Sequence, residues 1–384
     1  MHRAALPFAG AQYQIPERIG TRYAHFTNAA TGHMTATRTK STTAWWRHVA
    51  IALGMLALAP GAAQAGPTLE AVRARDALLC GISPGMLGFS HPGTAPGSWE
   101  GMDVDICRAV AAAVLGSSDK VTFVHLQVDE RLPALREGRF DILAFAASYT
   151  MSRDTSMGAR ATVVTYYDGQ GFLVPTASKL RNTRQLRGKP ICVTTTGSSE
   201  QTLQEYSNAQ KMGFRLLRFA RFKEATEAYL AGRCAAISAD ATSLAVVRRT
   251  QTPRPADHLI LPELISKEPL GPLVRRGDDE WASVVSWVIQ GLIAAEEHGL
   301  TRANVVQQAA SSPNAEVQRM LGRSGDTGKM IGLERDWLLN ALRATGNYGE
   351  IVARNVGADS PLGLPRGLNA LWNHGGLQYA LPIR

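Results

Sequence analysis

The chain has 384 residues, of which 45% are hydrophobic and 19% charged, and this composition is ordinary for a soluble globular protein with room for two lobes. Residues 1–65 hold six of the 41 Lys and Arg residues but one of the 32 Asp and Glu residues, so leaving them out lowers the net charge from +9 to +4. A charge this small, spread along the chain, gives no reason to expect nucleic acid as a partner.

The first 65 residues have the pattern of an export signal. An apolar run covers Val49–Ala59 and the small-residue triplet Ala63-Gln64-Ala65 follows, which predicts cleavage before Gly66. Eleven apolar residues are too few to span a bilayer. Translation starting at Met34 instead of Met1 would leave a conventional signal of about thirty residues, and the choice stays open. We therefore exclude residues 1–65 from the fold.

Strand and helix patterns alternate after Gly66. A run of apolar residues at the helical period over 106–115 ends at Gly116, which is a common helix stop. The predicted strands are Leu78–Ile82, Val121–Leu126 and Phe140–Phe145, with a second helix over Asp129–Glu137. This order predicts a βαβαβ unit with a parallel sheet.

The same plan returns about ninety residues later. Strands are predicted over Pro190–Val193, Phe214–Phe219 and Ala235–Ala239, and helices over Glu200–Met212 and Glu224–Leu230. Two similar α/β lobes follow from this repetition. Ligands bind parallel sheets at the carboxyl ends of their strands, so the loops after Phe145, Val193 and Ala239 are predicted to face one cleft.

The loop after the third strand carries a serine and an arginine with carboxylate-binding chemistry. The guanidinium of Arg153 can pair both oxygens of a carboxylate at once, and the hydroxyl of Ser148 can satisfy a neighbouring polar atom. The alternative is an ordinary surface arginine in a salt bridge with Asp154 or Asp168.

Two further loops complete a candidate site. Gly197-Ser198-Ser199 opens a predicted helix, whose free N–H groups attract anions, although Ser198 and Gln201 also have the spacing of a plain capping box. Asp240 ends a strand of small residues and either caps the next helix or neutralises an ammonium. Arg153 with the helix start suits a carboxylate, while Asp240 with Ser148 suits an ammonium, so the set predicts an α-amino acid ligand.

All four cysteines, Cys80, Cys107, Cys192 and Cys234, lie after the predicted signal. An even count in an exported chain favours disulfides, and the absence of any CxxC spacing argues against zinc. Three pairings are open. We predict Cys80 with Cys107 and Cys192 with Cys234, since each closes a loop within one lobe; four buried free thiols are the alternative.

Seven motifs identify a family resemblance. They are Gly101-Met102-Asp103-Val104-Asp105, Gly138-Arg139-Phe140-Asp141, Thr150-Met151-Ser152-Arg153-Asp154-Thr155, Thr165-Tyr166-Tyr167-Asp168-Gly169-Gln170-Gly171, Ser266-Lys267-Glu268-Pro269-Leu270-Gly271-Pro272, Gly346-Asn347-Tyr348-Gly349-Glu350 and Arg366-Gly367-Leu368-Asn369-Ala370-Leu371-Trp372. With them the chain resembles the periplasmic solute-binding proteins of polar amino acid ABC transporters, family 3, and most closely the general L-amino-acid-binding type. The resemblance covers nearly all of residues 68–384.

The resemblance implies residue roles. The arginine matching Arg153 and the turn matching Gly197-Ser198-Ser199 hold the ligand carboxylate, and the aspartate matching Asp240 holds the ammonium with Ser148 and a backbone carbonyl at Ala146. An aromatic ring near Phe89 packs on the ligand side chain. This chain departs from close relatives at Phe145 to Ala147, where they carry polar residues. The departure predicts an altered side-chain pocket in which acidic and amide side chains bind less well.

The resemblance also implies the architecture and the partners. We expect an α/β periplasmic-binding-protein fold with lobe 1 over 66–175 plus 268–384 and lobe 2 over 176–267, joined by crossing segments near 174–178 and 264–269. The predicted protein is a periplasmic monomer that works with an inner-membrane ABC permease and its ATPase and needs no cofactor. Two other functions stay open: a dehydratase of prephenate-like or arogenate-like acids, for which His91 lacks a paired acid, and a ligand sensor.

Overall fold

The computed structural model describes residues 66–384, and the predicted signal over 1–65 lies outside the described residues. Its strands are β1 (Leu78–Ile82), β2 (His91–Pro92), β3 (Trp99–Glu100), β4 (Val121–His125), β5 (Ile142–Leu143), β6 (Ala159–Ala161), β7 (Tyr166–Asp168), β8 (Gln170–Pro175), β9 (Pro190–Thr194), β10 (Arg215–Phe219), β11 (Ala236–Asp240), β12 (His258–Ile260), β13 (Glu268–Leu270) and β14 (Leu273–Arg275). Its α-helices are α1 (Pro67–Arg75), α2 (Met102–Leu115), α3 (Arg131–Arg136), α4 (Met151–Thr155), α5 (Ser199–Ala209), α6 (Phe222–Leu230), α7 (Ala241–Val246), α8 (Asp279–Glu297), α9 (Val305–Ser311), α10 (Ala315–Met320), α11 (Thr327–Met330), α12 (Trp337–Thr345) and α13 (Tyr348–Asn355). None of these helices is long and apolar enough to cross a membrane.

The first sheet has the order β4-β1-β5-β14-β6. Its strands β1, β4 and β5 are parallel, as the βαβαβ pattern predicts, while β14 runs antiparallel to β5 and β6. The third predicted strand is shorter than expected because Phe140 turns into the core, where its ring lies against Gly81. The carboxyl ends of β1 and β5 therefore meet at one edge of this lobe.

The second sheet has the order β10-β9-β11-β8-β12. Its three repeat strands are again parallel, and β8 joins them by antiparallel pairing of Leu173 with Ile237. Residues 170–175 therefore belong to the second sheet, although the predicted division placed them in lobe 1. The reason is non-local, since β8 finds its partners more than sixty residues further along the chain. The predicted α/β class with two sheets is confirmed.

The chain passes between the sheets through a short two-stranded ribbon. Strands β7 and β13 pair antiparallel, with Asp168 opposite Glu268 and Tyr166 opposite Leu270. The first crossing lies at 166–170, before the predicted segment 174–178, whereas the return crossing coincides with the predicted 264–269. The site residues next to this ribbon are thus held by both lobes.

Two disulfides and a C-terminal group of helices complete the structure. Cys80 is bonded to Cys107 and Cys192 to Cys234, with Cα atoms 6.3 and 5.7 Å apart, so the predicted pairing is confirmed. Each closes a loop worth about 3–4 kcal/mol in the chain-entropy account. Helices α8, α12 and α13 pack with α2 in the core of the first lobe. The C-terminal part of the chain therefore packs against the first sheet and its helices.

Candidate functional site

A cavity of about 320 Å³, here called the inter-lobe cavity, lies where the carboxyl ends of the strands of both sheets meet. Loops of the first lobe supply Met86, Ala146, Ser148 and Arg153 to its wall, and loops of the second supply Ser198 and Asp240. An outer cavity of about 700 Å³ adjoins it and shares several lining residues. The sequence argument from strand ends predicts this location.

Arg153 is buried beside the cavity and is not a surface arginine. Thr150 caps the short helix α4 by accepting a hydrogen bond from the Arg153 N–H. This contact fixes the backbone from which the Arg153 side chain extends. Arg153 as a residue is 9% exposed, and its Nη1 donates to the carbonyl of Ser148 at 2.6 Å. Within residues 66–384 it has no carboxylate at salt-bridge distance, so the pair with Asp154 or Asp168 does not form. Burial lowers the pKa of Arg153, while Glu268 and Asp240 oppose that shift.

The hydroxyl of Ser148 is oriented by a carboxylate that sequence reasoning did not assign to the site. Ser148 donates to Oε2 of the buried Glu268, whose Oε1 accepts from the Ser266 hydroxyl at 2.8 Å. Since its proton is committed to Glu268, the Ser148 oxygen keeps its lone pairs for a donor such as an ammonium. The sequence feature that could have pointed to Glu268 is the motif from Ser266 to Pro272. Its contact with Ser148, however, joins residues 120 positions apart, which no local pattern connects.

The backbone at Ala146 is held in an unusual conformation by a second buried carboxylate. Ala146 has a φ of 44°, in the left-handed region that favours glycine. Its N–H donates to Oδ2 of Asp103 at 2.7 Å, and Asp103 lies in the first turn of α2. Burial raises the pKa of Asp103 to about 7, and the hydrogen bond from Ala146 opposes that shift. The residue whose carbonyl is predicted to meet an ammonium is therefore held by a contact within the protein.

Asp240 does not cap the helix that follows it. The N-terminus of α7 is satisfied instead by Asp168, which accepts from the Thr242 hydroxyl at 2.5 Å and from the Thr242 N–H at 3.4 Å. The Asp240 carboxylate is half-buried and accepts no hydrogen bond from any other residue between 66 and 384. Burial raises its pKa to about 7, and the nearby carboxylates of Asp168 and Glu268 add to the shift. A cation at this position would be strongly favoured.

The helix start at residues 197–199 is open to the cavity. Gly197 has a φ of 83°, and the Ser198 side chain makes no cap to α5. The expected capping box is absent because Gln201 turns outward to donate to Glu205 at 2.8 Å. Gly197, Ser198 and Ser199 all line the inter-lobe cavity, with free N–H groups at the start of an 11-residue helix. An anion can be held there.

A second buried guanidinium, which sequence reasoning missed, lies beside Arg153. Arg131 begins α3, is 8% exposed, and stacks on the ring of Phe145 with its Cζ 4.9 Å from the ring centroid. Burial lowers the pKa of Arg131 to about 10; Arg153 adds to the shift and Asp240 opposes it. The sequence feature that could have pointed to Arg131 is its position in the chain, because α3 follows β4 at the same edge as the other site loops.

Phe89 does not line the inter-lobe cavity. Its side chain is buried in the core of the first lobe and packs edge-on against Tyr166, with ring centroids 5.5 Å apart. Gly101, with a φ of 131°, lies so close to the Phe89 carbonyl that any larger residue would collide. The loop can therefore pack in this position only with glycine at 101. Met86 is the apolar side chain of this loop that reaches the cavity. The predicted ligand contact of Phe89 is not supported by this placement.

Comparison with known proteins matches residues 78–302 to the bacterial extracellular solute-binding proteins, family 3. The glutamate/glutamine/aspartate/asparagine-binding protein BztA of Rhodobacter capsulatus is 45% identical over 86% of this chain and 97% of its own length. The general L-amino acid-binding periplasmic protein AapJ of Rhizobium johnstonii is 44% identical over 87% of this chain and 98% of its own.

A solved structure agrees with these relatives. A periplasmic binding protein of an ABC transporter from Brucella ovis, with glutathione bound, is 44% identical to this chain. It superposes with a TM-score of 0.79 and covers 83% of this chain and 99% of its own length. The similarity therefore extends over both lobes and the C-terminal helices.

Proposed function

Because the chain belongs to family 3 of the bacterial extracellular solute-binding proteins, we propose that it binds an L-amino acid in the inter-lobe cavity and delivers it to an inner-membrane ABC permease. The observation that carries the proposal is a pair of opposite charges across one cavity, Arg153 from the first lobe and Asp240 from the second, neither of which has a salt-bridge partner among residues 66–384. A zwitterion satisfies both at once, whereas a singly charged solute leaves one of the two charges without a counterion and a neutral solute leaves both.

Each polar group of the site then has one role. Arg153 and the N–H groups of 197–199 bind the α-carboxylate, while Asp240, the Ser148 oxygen and the Ala146 carbonyl bind the ammonium. The names of BztA and AapJ support an amino acid as the ligand. Since each end of the ligand contacts groups from both lobes, binding pulls the lobes together, and the closed form is the one that the permease recognises.

The cellular setting belongs to the same proposal. AapJ is named a periplasmic protein, which supports export of this chain by its N-terminal segment and a periplasmic location. We propose that the protein acts as a monomer and is not an enzyme. His91, the histidine weighed for dehydratase chemistry, does have an acid beside it, because its Nε2 lies 4.0 Å from Oε2 of Glu100, but it does not line the inter-lobe cavity. Incubation with prephenate, followed by NMR, is expected to show no turnover.

Calorimetry against the twenty amino acids tests the proposed function. We expect the wild-type protein to bind at least one of them with a Kd of about 1 μM or lower, which is roughly −8 kcal/mol. Arg153→Gln should weaken that binding at least about 100-fold, because it removes a charge-assisted contact to the carboxylate.

The control is Arg160→Gln, an exposed arginine on β6 that removes the same charge away from the cavity. It should change the Kd less than about threefold. Equal affinity in wild type and Arg153→Gln would disprove the carboxylate role, and wild-type protein that binds no amino acid would overturn the function.

A further inference from the structure

We propose that the second lobe binds the anionic headgroups of a lipid bilayer through a basic face, which lies at the end of its sheet remote from the inter-lobe cavity. The inference rests on the periplasmic location given under the proposed function, and it concerns a surface with no part in holding the amino acid. The basic face consists of six cations, five exposed and one half-buried: Arg181, Arg184, Arg187, Lys189, Lys211 and Arg215.

The first observation is that the two lobes carry opposite net charges. Residues 170–265, which contain the second sheet and its helices, hold 14 Lys and Arg residues against 7 Asp and Glu residues, a net charge of +7. The remainder of residues 66–384 holds 21 against 24, a net charge of −3. The net charge of +4 is therefore not spread along the chain, as expected from the sequence, but is the sum of a basic lobe and an acidic one.

The second observation is that the carboxylates of the second lobe leave the basic face without counterions. Four of the seven are paired with other cations, in the ion pairs Arg218–Glu200, Arg221–Glu224, Lys223–Glu227 and Arg254–Asp257. Asp240 and Glu205 line the two cavities, and Glu263 accepts from the Thr183 N–H and hydroxyl at 3.3 and 3.2 Å. Within residues 66–384, none of the six cations has a carboxylate at salt-bridge distance.

The third observation is that the backbone holds the six cations side by side. The first two precede and occupy the short turn Thr183–Leu186. The guanidinium of Arg187 donates to the carbonyl of Lys211, and the N–H of Arg215 donates to the carbonyl of Lys189 at 3.1 Å. The segment before β9, the end of α5 and the start of β10 therefore form one surface.

The basic face is separated from the ligand site by the length of the sheet. Strand β9 begins directly after Lys189 and ends at Thr194, which lines the inter-lobe cavity. Five strand residues span about 15 Å. None of the six cations lines the inter-lobe cavity or the outer cavity. A partner on the basic face therefore leaves the amino acid site accessible.

The composition of the basic face selects the kind of partner. No large hydrophobic side chain between residues 170 and 220 is exposed. Stable protein interfaces have an apolar core with aromatic anchors, which this face lacks. A bilayer with anionic headgroups requires only positive charge, and each Lys or Arg near its surface adds to the attraction. Anionic lipid is therefore the partner that fits, and it would keep the protein near the membrane that contains the permease.

Vesicle sedimentation tests the inference with protein purified from the periplasm. Mass spectrometry first verifies that the apolar run Val49–Ala59 has been removed, because that run would itself bind lipid. The vesicles consist of phosphatidylcholine alone or with about 30% phosphatidylglycerol, and we expect at least about tenfold stronger binding to the anionic ones. Raising the salt from about 0.05 to about 0.5 M should release the protein, because salt screens exposed charges.

A triple variant, Arg184→Gln with Lys211→Gln and Arg215→Gln, locates the binding on the basic face. These three side chains are exposed and make no hydrogen bond within residues 66–384, so the fold does not depend on them. Binding to the anionic vesicles should weaken at least about 20-fold, because three charges near the lipid surface are lost. Calorimetry should show unchanged affinity for the preferred amino acid, which also verifies that the variant is folded.

The matched control removes the same charge from the first lobe, with Arg139→Gln, Arg160→Gln and Lys329→Gln, and should change vesicle binding less than about threefold. Equal losses in the two triple variants would overturn the inference, as would wild-type protein that does not bind anionic vesicles. Binding to inner-membrane vesicles but not to pure lipid, when protease treatment of those vesicles abolishes it, would assign the face to an acidic protein segment and also overturn the inference. Wild-type protein that binds anionic vesicles but no amino acid would support the basic face and count against the proposed function alone.

Discussion

At the scale of residues, the carboxylates around the site differ in whether other residues donate hydrogen bonds to them. Asp168 and Glu268 are fully hydrogen-bonded by Thr242, Gly169, Ser148 and Ser266. Asp240 lacks such partners within 66–384 although it lies beside them, and Asp168 caps the helix that Asp240 could have capped. The protein therefore keeps one carboxylate ready for a ligand cation and uses its neighbours to build the frame.

The raised pKa of Asp240 predicts pH-dependent binding. With a pKa of about 7 in the free protein, raised by burial and by Asp168 and Glu268 against the opposing charges of Arg131 and Arg153, Asp240 is protonated below pH 7. A bound ammonium favours the ionised form, so ligand binding releases a proton at low pH. Affinity should rise from pH 5 to about 7 and level off above it, falling about tenfold per unit at the acidic end.

Calorimetry at pH 5, 6, 7 and 8, in two buffers of different ionisation enthalpy, measures both the affinity and the proton release. Asp240→Asn should bind at least about 100-fold more weakly at pH 8 and lose most of this dependence. An affinity in wild type that stays constant from pH 5 to 8 would contradict the ammonium role of Asp240.

At the scale of elements, the crossing ribbon is completed by a side chain from the far end of the sequence. Asn369 accepts from the Tyr167 N–H at 2.6 Å and donates to the Tyr167 carbonyl at 3.1 Å, as a neighbouring strand would. Arg366 holds this segment by a two-point contact with Glu296 at 3.0 and 3.2 Å. The C-terminal segment thus fastens the edge of β7 that β13 leaves open.

Removal of the Asn369 amide should weaken the protein measurably. Asn369→Ala leaves a backbone donor and an acceptor of Tyr167 without partners, which is expected to lower the free energy of unfolding by about 1–3 kcal/mol. Urea unfolding followed by circular dichroism measures it. Asn373→Ala, an exposed asparagine a few residues on, is the control and should stay within about 0.5 kcal/mol. Equal stability of the two variants would show that the Asn369 contacts do not support the ribbon.

At the scale of the whole molecule, the charges that suit one ligand come from both lobes. Arg153 and Arg131 belong to the first lobe, whereas Asp240 and residues 197–199 belong to the second. Within residues 66–384, the chain passes between the two sheets only through the ribbon of β7 and β13 and the adjoining crossings. Ligand binding and lobe closure are therefore expected to be one process.

Closure can be measured by small-angle X-ray scattering on protein with and without its preferred ligand. The radius of gyration should decrease on binding, and the scattering mass should be that of a monomer. A ligand present at 100 times its Kd should also stabilise the fold by about 2.7 kcal/mol. Arg153→Gln at the same ligand concentration should show neither change. Tight binding by wild type at an unchanged radius of gyration would rule out the coupled closure.

The sequence alone was sufficient for the elements whose pattern is local. Strand β1, helix α2 and the repeat over 190–240 follow from apolar periodicity and from the rule that βαβ units form parallel sheets. The disulfides Cys80–Cys107 and Cys192–Cys234 close short loops within these units, so their pairing was predictable too. Asp240 is the last residue of β11 and Arg153 lies in the short helix α4 that follows β5, and these positions at strand ends predict one common edge before any contact is known. The lobe division and the ligand roles stay predictions.

Tertiary structure decided whatever depends on partners distant in sequence. The pairing of β8 with β11, the Ser148 contact with Glu268 and the burial of Phe89 each join segments that no local pattern connects. Arg131 is the clearest case, because a charged residue at the start of a six-residue helix is ordinary on the surface. The periodicity of a segment tells which of its faces is buried but not what covers that face. Arg131 lies over the Phe145 ring and has no carboxylate of residues 66–384 within salt-bridge distance, and only the folded chain shows this.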